Sequence, residues 1–325
     1  MADRRLDPER GVLPGAGLGG SATPSFADPT DGPSGLAARP APSRIGPRTF
    51  RWGERTHVVG ILNITPDSFS GDGLVKALEA GLTGSIALAE RAVIQARAMV
   101  AEGADLLDVG GESTRPGHAP VTAVEEIARV VPVLRAIRAE LPDVPLSIDT
   151  TKPAVAAAAI DAGADLVNDV WGVAPDDALA RLAAERGVPL ILMHNRAEAR
   201  YANLLAEVIA DLWRAIERAV AAGCPLETLI VDPGFGFGKA PHHNLELLRR
   251  LPELHVLGRP IMLGTSRKST LGRVLNLPAG DRLEATLATT TLAAAAGIDL
   301  VRVHDVQANV RAARLTDAIV RARVP

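Results

Sequence analysis

Cysteine is almost missing from this chain. Cys224 is the only one in 325 residues, so neither an intrachain disulfide nor a cysteine-based zinc cluster can form. It follows Ala222-Gly223, where a small buried residue near a helix end and a reactive thiol are the two readings; the first is the simpler. Aromatic residues are also scarce, at 3%, which argues against a stacking surface for nucleic acid. No charge of one sign dominates. Thirty-five Lys and Arg stand against 38 Asp and Glu, a formal net charge of −3, so no polyanion partner is expected and any bound anion must be met by a local site. No apolar run reaches the length of a membrane span, and the N-terminus lacks an apolar h-region. A cytoplasmic enzyme with no membrane or nucleic-acid partner is the expectation. What is present is aliphatic: hydrophobic residues make up 47%, mainly Ala, Val, Leu and Ile, enough for a sizeable core of helices packed on strands.

The length admits one large domain or two small ones. Residues 1–48 are dense in Pro, Gly, Ala and Ser without periodicity. Such a composition buries too little surface to offset ordering, and it reads as a disordered extension. Residues 49–325 read as one domain. Thr49-Phe50-Arg51-Trp52 and Thr56-His57-Val58-Val59 flank Gly53-Glu54-Arg55, a pattern that predicts an N-terminal hairpin.

Short apolar runs then recur at Val58–Leu62, Leu106–Val109, Leu146–Ile148, Leu166–Val167, Leu190–Met193, Leu229–Val231, Ile261–Leu263 and Leu300–Val303. Between them lie helical spacings of three and four: Ile86, Ala89, Val93, Ala96 and Val100; Val124, Ile127, Val131 and Leu134; Leu205, Val208, Leu212 and Ile216. Gly103, Gly163, Gly187, Gly223 and Gly297 sit where helices would end before the next strand. Near-continuous apolar strands alternating with amphipathic helices imply a parallel sheet covered by helices. Eight repeats over about 275 residues fit a (β/α)8 TIM barrel. A doubly wound open sheet is the alternative, but no Gly-rich dinucleotide turn follows the first strand.

In such barrels chemistry lies at the C-terminal strand ends. Those ends carry Asn63, Asp108, Asp149, Asn168-Asp169, His194-Asn195, Asp232, Ser266-Arg267-Lys268, Arg302 and His304-Asp305. Any one of them could be an ordinary cap for the next helix; their convergence on one face predicts an active site. Arg302 and His304, two apart on one strand, face the same side.

Five segments go further. Gly60-Ile61-Leu62-Asn63-Ile64-Thr65-Pro66-Asp67-Ser68-Phe69-Ser70, Asp108-Val109-Gly110-Gly111-Glu112-Ser113-Thr114-Arg115-Pro116-Gly117, Asp232-Pro233-Gly234-Phe235-Gly236-Phe237-Gly238-Lys239, Ser266-Arg267-Lys268-Ser269 and Arg302-Val303-His304-Asp305-Val306 resemble, in order, the signatures of the dihydropteroate synthase family. The resemblance spans roughly residues 55 to 322. It implies displacement of pyrophosphate from 6-hydroxymethyl-7,8-dihydropterin pyrophosphate by the amine of p-aminobenzoate, through an ionised pterin-methylene cation. Such a site stabilises the leaving anion and the ring cation together.

The same resemblance implies residue roles. Asp232 would accept from the pterin amino group and adjacent ring N–H, a two-donor edge that a carboxylate matches with two oxygens. Asp149, Asn168 and Met193 would hold the rest of the pterin, with Asp149 placing negative charge near the cation, and Lys268 would donate to the carbonyl side. Asn63, Thr114, Arg302 and His304 would bind pyrophosphate, Arg302 through its planar fork. Asn63 would also ligate Mg²⁺ arriving with the substrate. Phe69, Arg115, Pro116 and Ser266 would form the p-aminobenzoate site, largely on two loops, 65 to about 84 and 111 to 120. Asp72 and Arg115 join Asp149 and Lys268 as catalytic candidates. The alternatives are strand-end caps for Asp149 and Asn168, a solvated lysine for Lys268, a satisfied core histidine for His304 and hydrophobic packing for Phe69.

The Gly234–Lys239 run superficially suggests a nucleotide loop, but Pro233 and Ala240 occupy positions that a P-loop reserves for Gly and Ser or Thr. Its glycines instead let backbone pass close under a ligand. His242 and His243 read as exposed loop histidines. The chain departs from the family pattern at Ser70-Gly71-Asp72-Gly73, which puts an extra residue before Asp72, and at Met193-His194-Asn195-Arg196. Two rival functions remain, a folate-binding methyltransferase barrel and a catalytically silent pterin-binding paralogue. The first would not need Thr114-Arg115 or the Arg302/His304 pair. The resemblance also implies a homodimer, and the Ala-rich Leu283–Ala296 segment could pack against either a partner or its own barrel.

Overall fold

The computed structural model describes residues 40–64, 85–112, 120–172, 177–278 and 280–321. Most of the expected disordered extension, and most of both expected active-site loops, fall outside the described residues.

The expected hairpin is corrected. The antiparallel pair is β1 (Ser43–Ile45) with β2 (Arg48–Phe50), in the register Ile45 opposite Arg48. Gly46 at φ 53° and Pro47, with its fixed φ, supply the two-residue turn. The folded part thus includes residues N-terminal to Thr49. The Thr56–Val59 stretch cannot pair with Thr49–Trp52 because it opens a central barrel strand bonded on both edges.

That strand is β3 (His57–Asn63). It is followed by β4 (Leu106–Gly110), β5 (Leu146–Asp149), β6 (Leu166–Asp169), β7 (Leu190–Met193), β8 (Leu229–Asp232), β9 (Met262–Leu263) and β10 (Leu300–Val303). All pair in parallel, in the order β8-β7-β6-β5-β4-β3-β10-β9. A parallel bridge between Val231 and Ile261 joins the two ends, with Val231 N–H donating to Pro260 C=O at 2.9 Å. The helices are α1 (Ser85–Ala101), α2 (Ala123–Glu140), α3 (Pro153–Asp161), α4 (Ala178–Arg186), α5 (Leu204–Ala221), α6 (Pro241–Arg249), α7 (Ser269–Leu275), α8 (Leu283–Ala295) and α9 (Val306–Val320). One helix follows each strand, and two follow β9, so the fold is the expected (β/α)8 barrel. The five helix-ending glycines all take positive φ.

Strand alternation sorts the core into two shells. Val58, Leu62, Leu107, Val109, Ile148, Val167, Leu192, Val231, Val301 and Val303 face the helices. Val59, Leu106, Leu166, Ile191, Ile230, Met262 and Leu300 face the barrel axis, where Ile45, Phe50 and Trp52 of the N-terminal segment plug the bottom. Trp52 Nε1 donates to Ser43 Oγ at 2.9 Å, and that hydroxyl donates to Glu227 C=O at 2.8 Å. Emptying the plug by Phe50→Ala would cost about 3–5 kcal/mol.

Two helix faces differ in one respect. In α5, Leu205, Val208, Leu212 and Ile216 are all buried, as their spacing predicts. In α2 the stripe is rotated: Val124 is 78% exposed, while Glu126 is fully buried beside Val130, Val133, Leu134 and Ile137. Val124 lies in the first turn, opposite the buried side, and Glu126 is tolerated inside because Lys152 Nζ lies 2.6 Å from its Oε2. Thr122 and Glu125 close a capping box at the start of this helix. His242 and His243 are not in a loop; they lie in the first turn of α6, and His243 Nδ1 accepts from Ala240 N–H at 3.2 Å.

Candidate active site

On most strands the inward face changes character within one alternation step. The lower layer is aliphatic, and two residues further the same face carries Asp108 after Leu106, Asn168 after Leu166, Met193 after Ile191, Asp232 after Ile230 and Arg302 after Leu300. Ser147 and Asp149 alternate likewise on β5. A polar floor thus sits directly on an apolar plug, sealed from water below.

Arg302 is the centre of this floor. Its Nε donates to Asp108 Oδ2 at 2.5 Å and its Nη2 to Asp149 Oδ2 at 2.7 Å. Asn168 Nδ2 adds a bond to Asp108 Oδ2 at 3.1 Å, and Ser147 Oγ donates to Asp108 Oδ1. With both aspartates buried, the guanidinium is what makes two carboxylates tolerable side by side. Asp149 is nevertheless pushed up to about 7, first by burial, with the Asp108 charge adding and Arg302 and Lys268 opposing. Asp149 Oδ1 and Asn168 Oδ1 are buried without a hydrogen-bond partner. Buried acceptors left open in this way await donors from a ligand. Asn63 stands beside them: a Cβ on Gly110 would lie 3.8 Å from Asp149 Oδ2 and 3.9 Å from Asn63 Oδ1.

Across the barrel, Asp232 Oδ1 accepts from Gly234 N–H at 2.7 Å. Burial raises its pKa, while Lys268, the Gly234 N–H and Arg302 pull it back. Lys268 donates to Phe235 C=O and lies 4.5 Å over the Phe237 ring. Burial lowers this amine to about 8, against the pull of Asp232 and Asp149, so at neutral pH it is still mainly an ammonium donor. Gly236 beneath it takes φ 85°, a conformation that favours glycine, and a Cβ there would lie 3.0 Å from Lys268 Cδ.

Ser266 and His304 form a third group. His304 N–H donates to Ser266 Oγ at 3.2 Å, and that hydroxyl lies 2.9 Å from His304 Nδ1. Which of the two atoms donates in this bond follows the tautomer of the His304 ring. Ser266 precedes α7 by three residues and does not cap it. The loop between is held by Arg267, whose Nε and Nη2 grip Asp305 at 3.0 and 2.5 Å.

Of the residues singled out from the sequence, Asn63, Asp149, Asn168, Met193, Asp232, Arg302 and His304 lie at the C-terminal ends of the barrel strands, and Ser266 and Lys268 lie in the link from β9 to α7. Phe69, Asp72, Thr114, Arg115 and Pro116 lie outside the described residues. Asp108 opens the second family signature and has no expected role of its own; its place two residues after axis-facing Leu106 is the signal that it points into the site. For half-buried Lys239 no spacing points to its partner His194. Cys224 is buried, with Sγ 3.2 Å from Ala180 C=O, and burial pushes its thiol up, the small-residue reading rather than a reactive one.

A closed barrel with a sealed polar floor of carboxylates, amide and guanidinium at its strand ends defines a small-molecule enzyme site. The family of pterin binding enzymes matches residues 59–304, and the chain belongs to that family. Within it, the chain resembles the dihydropteroate synthases throughout. It is 48% identical to the dihydropteroate synthase of Clostridium beijerinckii over 279 residues, 86% of this chain and 99% of that protein. A Clostridium difficile dihydropteroate synthase crystallised in the presence of pteroic acid superposes with a TM-score of 0.77 at 45% identity, covering 84% of this chain and 100% of that one. The Xanthomonas albilineans dihydropteroate synthase with 4-aminobenzoic acid gives 0.76 at 40% identity, covering 83% and 95%.

Proposed function

We propose that the chain is a dihydropteroate synthase working through this strand-end site. It joins 6-hydroxymethyl-7,8-dihydropterin pyrophosphate to p-aminobenzoate, giving 7,8-dihydropteroate and pyrophosphate in folate biosynthesis. The observation that carries the reading is the ring of buried acceptors, Asp232 with the open Asp149 Oδ1 and Asn168 Oδ1, around one guanidinium. A pterin edge is rich in N–H donors, and this floor is rich in acceptors that need them.

In the reaction, the bond from the methylene carbon to the pyrophosphate oxygen breaks, its electron pair leaving with pyrophosphate. The cation is delocalised into the ring, then captured by the amine lone pair, and the new C–N bond forms with loss of an amine proton. Asp232 anchors the amino and ring N–H groups, Asn168 and Met193 bound the ring, and Lys268 donates to its carbonyl side. Asp149 supplies negative charge beside the cation. A bound cation favours the ionised form of this carboxyl, whose pKa of about 7 leaves it ready to lose its proton. Arg302, His304, Asn63 and Thr114 receive the pyrophosphate. Phe69, Arg115 and Pro116 with Ser266 receive the benzoate, and Asp72 completes the first loop.

Mg²⁺ fits this arrangement as a substrate-borne ion. The amide oxygen of Asn63 is a hard ligand at the open end of β3, and pyrophosphate oxygens and water would supply the rest. When bound, the ion neutralises charge on the leaving group. A cytoplasmic homodimer is the expected form. No helix among the described residues is long and apolar enough to cross a membrane.

The test is direct: purified full-length protein, pterin pyrophosphate, p-aminobenzoate and Mg²⁺, with dihydropteroate and pyrophosphate measured together. Stoichiometric release of both supports the synthase. Binding of both substrates without product would mean a silent pterin-binding paralogue, and methyl transfer from a folate would mean the rival barrel.

A further inference from the structure

The Gly234–Lys239 run ends in a lysine that the reaction above does not use, yet Lys239 is one of the most heavily engaged groups near the site. Its Nζ contacts His194 Nδ1 at 2.8 Å, Gly234 C=O at 3.1 Å and Phe237 C=O at 3.1 Å. Three acceptors match the three N–H bonds of an ammonium. His194 is 4% exposed, and its other nitrogen, Nε2, lies 3.1 Å from Asp211 Oδ2. That carboxylate takes the ring N–H, so Nδ1 is the acceptor that Lys239 needs. Burial, with the Lys239 charge behind it, lowers His194 to about 3, so the ring stays neutral and the bond persists through the working pH range.

The pinned loop carries both ends of the pterin-facing machinery. Gly234, whose N–H bonds Asp232, packs so tightly that a Cβ would lie 1.8 Å from His194 C=O. Phe235 C=O receives Lys268, and Phe237 lies beneath the same amine. The charged groups acting on Asp232 are Lys268 from the β9–α7 link, Arg302 from β10 and Lys239 from its own loop. Those acting on Lys239 are Asp232, Lys268, Arg196 and Asp211, and its neighbour His194 is neutral.

We propose that Lys239 is a positioning residue for the pterin end of the site: held by His194 and by the Gly234 and Phe237 carbonyls, it fixes the loop that orients Asp232 and Lys268, and it adds a positive charge to those of Lys268 and Arg302 around Asp232. This rests on the assignment of Asp232 to the pterin edge. The charge has its own signature. Burial lowers Lys239 to about 7, against Asp232 and Asp211, so its support for Asp232 is greatest below neutrality and fades as pH rises.

The experiment measures binding of 6-hydroxymethylpterin to the full-length protein by calorimetry from pH 5.5 to 8.5, for wild type, Lys239→Met and Lys239→Arg. Circular dichroism checks that each variant is folded. In Lys239→Met the acid-side loss of affinity should move up by about one pH unit, a deficit of about tenfold below neutrality. The deficit should narrow towards pH 8.5, and Lys239→Arg should restore the profile. Turnover with both substrates should show a raised KM for pterin pyrophosphate and an unchanged KM for p-aminobenzoate. If Lys239→Met does not fold, Lys239→Gln, neutral but still a donor to the two carbonyls, gives the same reading. Wild-type affinity at every pH, or a deficit equal at every pH, overturns the proposal. Failure of the wild type to bind the pterin would instead overturn the pterin assignment on which it rests.

Discussion

Replacing Asp232 by Asn separates binding from folding at one atom. The carboxylate is 3% exposed and accepts the Gly234 N–H at 2.7 Å through Oδ1. Asparagine keeps the shape and one oxygen but turns the other position into a donor, aimed at a pterin N–H. Losing one charge-assisted hydrogen bond costs about 1.5–3 kcal/mol, and the buried donor left unpaired about 1–3 more. The sum, about 3–6 kcal/mol, is roughly 10²- to 10⁴-fold in affinity. Folding should respond in the opposite sense. Burial raises the pKa of Asp232, so its contribution to stability is present below the unfolded pKa and lost as pH rises through the folded value. An uncharged isostere escapes that loss. At pH 8 the variant should melt at or above the wild-type temperature while calorimetry shows pterin binding nearly abolished. Near-normal pterin affinity would show that this edge had been misassigned.

Arg302→Met removes the shared partner of Asp108 and Asp149 and should destabilise the fold by about 3–5 kcal/mol. Because Asp149 already sits at about 7 and would rise further without its cation, urea unfolding should show a smaller loss at pH 5 than at pH 8. Equal losses would contradict the buried-pair account. Gly234→Ala, at φ 69° with its Cβ directed into His194 C=O, should lower the unfolding free energy by at least about 1–2 kcal/mol from the left-handed backbone alone, and a wild-type melt would refute the close approach. Chelation of Mg²⁺ should suppress turnover yet leave binding of 6-hydroxymethylpterin unchanged; a parallel loss of pterin binding would place the ion elsewhere. Arg115→Ala should raise KM for p-aminobenzoate more than it weakens pterin pyrophosphate binding, and equal effects would argue against the loop assignment.

The barrel was legible because its signals are local. A short, near-continuous apolar run marks a strand covered on both faces and a glycine past a helix end marks a cap, and neither depends on what lies across the fold. The polar floor was readable for the same reason, since Asn168 and Asp232 are the polar residues that close their apolar runs. Rotation of the buried face of α2 towards Glu126 was not readable, because it depends on Lys152, which approaches from a different strand end. The N-terminal pairing went wrong for a related reason: Thr56–Val59 looks like half of a hairpin until a closed barrel claims both of its edges.

What the sequence determined by itself was the architecture, the family and the identity of the residues that line the strand ends. What only the tertiary structure decided was how those charges are shared. Arg302 lies 194 residues from Asp108 and 153 from Asp149, and Lys239 lies 45 from His194. No spacing rule reaches that far. Closure of the barrel brings these groups within hydrogen-bond distance and withdraws them from water, and desolvation then makes each charge depend on the partner it has met.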